Sequence, residues 1–193
     1  MMRGRDQTLS RFGLMFREHL GDLSEVDISS FLDFEKNCHW TGLQRQESAI
    51  SVNMPAVRSA IKVLRKRKEF GDDGGRRFDD ANRLVRGLGE GIMTPILFVA
   101  FAEDYGVWNA KSTFGLQTLD LWITTDKGDS RGRMYEKVNA TLLSARNSLN
   151  KMLPPGQHPV DLWTIDYCWH AMKVMSGDGR LEPLIGVFRR TQN

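Results

Sequence analysis

Residues 92–102 form the longest apolar run in the chain, interrupted only by Thr94 and Pro95. A segment this apolar must be buried, and its eleven residues are too few to span a bilayer. The run is entered through Gly87-Leu88-Gly89-Glu90-Gly91 and left, a few residues on, through Trp108-Asn109-Ala110-Lys111-Ser112. The spacing predicts a core helix with glycine backbone at one end and polar-aromatic side chains at the other. The rest of the chain must supply a coat for it.

That coat reads as further helices. Leu9, Phe12, Phe16 and Leu20 recur at spacings of three and four, with Thr8 placed as a cap. Ile28, Phe31, Leu32 and Phe34 form a second stripe over 24–37, opened by Ser24. Residues 38–46 have no helical apolar period and read as a connector carrying Trp40, Gln44 and Arg45. Trp40 reads either as a plug at the core edge or as a contact residue. Pro55 opens the next helix, where its missing N–H costs little. Residues 71–77 read as a flexible loop, and 78–86 as a helix leading into the glycine turn. Residues 124–133 read as an exposed loop and 134–153 as a long amphipathic helix, stopped by Pro154-Pro155-Gly156. Asp161 caps a final helix, and 184–188 read as a short strand or a frayed end. With no persuasive alternating segment, the expected fold is all-α, a compact multi-helix bundle in a single domain over 1–193.

The charge is regional. Between Arg58 and Arg86 ten Lys/Arg face five Asp/Glu, a balance of +5 against +3 for the whole chain of 193 residues. Arg58, Lys62, Arg65, Lys66, Arg67 and Lys68 precede the first acid, Glu69. A solvated helix face usually mixes signs to gain i,i+4 pairs. This one repels itself, which points to a phosphate-binding face on a nucleic acid, with the solvated face as the alternative. Arg76, Arg77, Arg83 and Arg86 extend it. Two distant cysteines make no disulfide framework, and the charged start leads into no apolar segment. A cytoplasmic protein without membrane contact is expected.

Helix, Gly87-Leu88-Gly89-Glu90-Gly91, then buried helix resembles a helix-hairpin-helix over 78–103. The resemblance implies that backbone N–H groups at Gly87 and Gly89 approach a DNA phosphate. Glycosylases of the helix-hairpin-helix superfamily place a catalytic aspartate shortly after the second helix. The nearest position here is Asn109, which cannot ionise, and Lys111 is not at the family's lysine position. No catalytic residue is therefore assigned, and a glycosylase-like enzyme is the alternative reading.

A second resemblance rests on Tyr105-Gly106-Val107-Trp108-Asn109-Ala110-Lys111-Ser112, Gly115-Leu116, Leu119 and Asp161-Leu162-Trp163-Thr164-Ile165-Asp166-Tyr167. These words resemble a helical region of prokaryotic restriction and defence proteins, as in McrB-like systems. The resemblance implies a DNA-recognition or accessory role beside a nuclease or motor ATPase subunit. This chain carries no Gly-x-x-x-x-Gly-Lys-Ser/Thr motif. Trp108 offers a stacking face, Asn109 an amide that can pair with adenine, and Lys111 a charge for phosphate. Equally, Trp108 can anchor the core while Asn109 caps the next helix.

Cys38, His39, Cys168 and His170 have the atoms for zinc but the wrong spacing to converge, so neither metal nor cofactor is expected. Asp120, Asp126 and Asp129 read as loop acids. Asp166, among Trp163, Tyr167 and Trp169, demands a partner, and a structural hydrogen bond or ion pair, for example with an arginine, is the default expectation. The function expected is a DNA-binding module for double-stranded DNA. A basic helical protein-interaction adaptor is a further alternative.

Overall fold

The computed structural model describes residues 2–51, 53–65 and 74–182. Among these the chain is all-helical, with no strand. The helices are α1 (Met2–Arg17), α2 (Glu25–Leu32), α3 (Phe34–Asn37), α4 (Glu47–Ser51), α5 (Met54–Leu64), α6 (Gly74–Leu84), α7 (Glu90–Ala100), α8 (Ala110–Thr118), α9 (Arg131–Met152) and α10 (Leu162–Gly177). A 3-10 turn, Leu43–Gln46, precedes α4. The segments that follow residue 65 and residue 182, including Lys66 and the strand or frayed end read at 184–188, lie outside the described residues.

The apolar run forms α7, and every residue from Ile92 to Ala100 is buried. Its polar member is satisfied locally. The Thr94 hydroxyl donates to the Glu90 carbonyl at 2.8 Å and accepts the Trp108 N–H at 2.9 Å. Around α7 the Phe12, Phe16 and Phe31 rings meet edge-on or stacked, and α1 crosses so closely that a Cβ on Gly13 would lie 2.9 Å from the Val99 carbonyl oxygen. Burying each such ring contributes about 1.5–3 kcal/mol.

Several boundaries differ from the expectation. The first helix begins at Met2 instead of residue 8, so Thr8 is not a cap; it is fully buried and its hydroxyl bonds to the Gly4 and Asn37 carbonyls. The helix expected over 24–37 breaks at Asp33, whose extended backbone ends α2 while its carboxylate caps α3. Ser24 does cap α2, in a reciprocal box with Asp27. Gly74–Arg77, read as part of a loop, are already the first turn of α6. The loop expected to run to residue 133 ends at Ser130, which caps α9.

The misread glycines serve packing. A Cβ on Gly132 would lie 1.8 Å from the Gly75 carbonyl oxygen, so α6 and α9 cross backbone to backbone. The two helices also cap each other. The Gly75 N–H donates to Glu136 Oε1 at 2.9 Å, and the Gly132 N–H donates to Asp79 Oδ1 at 2.9 Å. These carboxylates satisfy first-turn N–H groups that have no partner within their own helix.

Candidate nucleic-acid interface and a buried His-Asp node

α6 ends at Leu84, and Val85 and Leu88 are buried anchors for the turn that follows. Gly87 takes φ +88°, the left-handed backbone that glycine adopts without strain. Gly89 then stands at the N-cap of α7 in extended conformation, and no side chain caps the helix. A Cβ on Gly89 or Gly91 would meet nothing within 4 Å beyond its chain neighbours. The helix start is thus open on its outer side. Glu90 lies there as well, its carboxylate 3.9 Å from the Arg131 guanidinium. Arg131 also stands over the Trp108 ring, 5.5 Å from its centroid.

The residues after α7 are fixed by structural bonds. Trp108 is 4% exposed, and its indole N–H donates to the Thr113 hydroxyl at 3.2 Å. Asn109 is the N-cap of α8: its side-chain oxygen accepts from the N–H groups of Lys111 and Ser112 at 2.8 and 3.0 Å, and Ser112 Oγ accepts the Asn109 N–H at 2.8 Å. The structure therefore places Trp108 and Asn109 as anchor and cap, the alternative that the sequence left open. Lys111 is half-buried near His170 of α10.

The basic surface is less free than its sequence. Arg58 Nε donates to the Leu23 carbonyl at 2.9 Å, and Arg65 reaches the Arg17 carbonyl. Arg77 is buried. Arg83 pairs with Asp80 at 2.7 Å, and Arg76 approaches the same aspartate at 3.9 Å. Lys62, Arg76, Arg83 and Arg86 are exposed. Arg45 is exposed on the 3-10 turn, away from Trp40, which is 5% exposed and turned into the core.

A constellation only half visible in the sequence joins the connector to α10. Asn37 is fully buried, and its amide shapes the turn. Its Nδ2 donates to the Phe31, Asp33 and Trp40 carbonyls at 3.0, 3.0 and 3.2 Å. Its Oδ1 accepts the N–H groups of His39 and Trp40 at 2.9 and 2.7 Å. Cys38 adopts φ +57° to make the reversal. His39 and Trp40 then converge on one oxygen of Asp166: His39 Nε2 at 2.8 Å and Trp40 Nε1 at 3.1 Å. A carboxylate oxygen accepts, so Nε2 carries the His39 proton. The imidazole stacks on Trp163 with centroids 4.0 Å apart. Asp166 thus has the structural hydrogen bonds expected of it, with an imidazole and an indole as the partners and no arginine among them. His170 lies one turn further along α10, and burial, then the nearby Lys111 and His39 charges, hold its pKa below the usual histidine value.

A cavity of about 670 Å³ opens between α5, α6, α7 and α9. Several polar groups in its wall are already committed. The Tyr135 hydroxyl donates to the Gly106 carbonyl, Asn139 binds Asp104 and Gly106 backbone, and Lys137 spans Asp126 and Asp129. Among the described residues, no cluster of three or more His, Cys, Asp or Glu is arranged to hold a metal ion, and no helix is long and apolar enough to cross a membrane. No protein-family model, curated protein or solved structure matches the chain.

Proposed function

We propose that this chain is a DNA-binding module that takes double-stranded DNA at the start of α7, in an accessory role beside a nuclease or motor ATPase subunit of a restriction or defence system. The observation that supports this reading is the uncapped, open N-terminus of α7 on its Gly87-Leu88-Gly89 turn, with Arg86 preceding it and Arg131 standing beside it. Backbone N–H groups and the positive end of a helix favour an anion, and glycine lets a phosphate approach. Glu90 is the opposing charge, and Arg131 lies against it. Lys62, Arg83 and Arg86 supply longer-range attraction. The accessory role itself rests on the sequence resemblance.

Fluorescence anisotropy with a labelled duplex tests this. Binding should fall steeply with salt, with a slope of about 0.9 per phosphate neutralised on a log–log plot. Arg86→Glu should weaken every duplex sequence alike. Binding that is absent, or indifferent to salt, would sink the proposal.

A further inference from the structure

The seam between α8 and α10 carries a basic surface with few acids of its own. α8 contains no acidic residue, and the one acid of α10, Asp166, is buried under His39 and Trp40. The exposed charges carried by the two helices themselves are therefore of one sign, with Asp120 and Asp178 exposed only past their C-terminal ends. Lys111 lies near His170, and Lys173 places its ammonium over the Phe114 ring, 4.2 Å from the centroid. Tyr167 is 43% exposed and its ring lies 6.3 Å from that of His170. Tyr167, His170, Lys111, Phe114 and Lys173 thus bring aromatic and basic groups together along the seam. The register is rigid, because Gly115 lets Trp169 pack directly on the α8 backbone: a Cβ there would lie 2.2 Å from the ring. The seam begins at Asn109, adjoining Trp108 and Arg131 at the α7 turn.

We infer that the α8–α10 seam is a second nucleic-acid surface, and that its ligand is a single strand with unpaired bases. An aromatic face finds few open partners on an undistorted duplex, whose bases are stacked on one another. An exposed tyrosine beside lysines on two packed helices fits a strand that offers both phosphates and open base faces. This inference rests on the DNA-binding reading and adds the second substrate class to it. The other occupant of a cationic face, an acidic protein segment, would use the lysines but gain little from Tyr167.

The experiment compares a labelled twelve-residue thymidine oligonucleotide with a labelled duplex on the full chain. Tyr167→Ala is expected to weaken the single-strand complex at least about fivefold, the effect of losing one base stack. Lys173→Gln should lower the single-strand salt slope by about 0.7. Neither change should alter duplex affinity by more than twofold. Single-strand affinity should also rise as pH falls through the depressed His170 titration, where His170 joins Lys111 and Lys173 in charge beside His39 and Asp166, and His170→Gln should remove that rise. All three substitutions are at solvent-facing positions, and unchanged thermal melts would establish that the fold is intact. Single-strand binding that is absent, or unmoved by Tyr167→Ala, overturns this inference while leaving duplex binding standing. Loss of duplex binding in the unmodified chain overturns the parent reading instead. An equal response of both nucleic acids would mean one shared surface and would also overturn it.

Discussion

The α5–α6 surface and the α8–α10 seam present opposite ways of being basic. The first belongs to the most basic stretch of the sequence, yet Asp80 takes Arg83 and Arg76, backbone carbonyls take Arg58 and Arg65, and Arg77 is buried. The second has few charges, but the one acid within its helices is hidden, so the charges those helices show to solvent are not paired along their length. A count of lysines and arginines therefore misjudges both. What a partner meets is the charge left after local pairing, and pairing depends on which residues share a helix face.

The two regions also stand on different supports, and this is where the comparison breaks most readily. The largest effect is expected at Gly132. Gly132→Ala pushes a Cβ into the Gly75 backbone, which cannot yield as a side chain end can, and should cost about 3 kcal/mol of stability. Chemical denaturation measures this, and duplex affinity should fall with it because α6 leads into the α7 turn. A neutral result would mean that the α6–α9 crossing has slack. Gly115→Ala meets the Trp169 ring and should cost about 2 kcal/mol, with single-strand binding the more affected.

A smaller effect separates the surfaces by charge. Arg83→Glu with Arg86→Glu should reduce duplex affinity about tenfold at moderate salt through lost phosphate contacts. Single-strand affinity at the seam should change far less, and equal losses on both ligands would erase the distinction drawn between the two surfaces. The smallest effect lies on the loop before α9, where Lys137 holds Asp126 and Asp129 at 2.8 and 2.7 Å. The hydrogen bond from Lys137 keeps the Asp129 carboxyl below its ordinary value of 3.8. A depressed carboxylate stabilises the fold above its unfolded pKa and loses that contribution as pH falls through its folded pKa. Asp129→Asn should therefore lower the melting temperature slightly in the neutral range, where that contribution is present, and converge with the unmodified chain below about pH 4, so that the acid limb is flatter, an outcome readable from melting temperature against pH.

The helices that bury a strong apolar stripe were legible from spacing alone: α7 from its uninterrupted run, α9 and α10 from their periods and caps. The glycine turn at 87–89 was legible too, because only a narrow set of residues tolerates left-handed backbone. Gly74, Gly75 and Gly132 were misread because sequence cannot distinguish a glycine needed for flexibility from one needed for contact. That distinction belongs to the partner helix, more than fifty residues away. The same holds for Asn37, whose five hydrogen bonds show no pattern in the chain. Asp166 was recognisable as a buried acid needing a partner, but His39 and Trp40 could not be named, since nothing local ties residue 39 to residue 166. As for the candidate site, Trp108 and Asn109 had two readings of equal chemical sense, and tertiary packing chose between them.

The bonds from His39 and Trp40 to Asp166 bridge 127 and 126 positions, and Arg5 reaches Asp161 at 3.1 Å on the same helix. Their consequence concerns the order of assembly. Closing so long a loop comes late, since its entropy must be overcome before the contacts return anything. As the chain is made from its first residue, α1 and the connector emerge long before α10 exists to receive them. During that interval Trp40 and the aromatic cluster around Phe31 have no lid, and the nascent N-terminal third is the part of this molecule most in need of a chaperone.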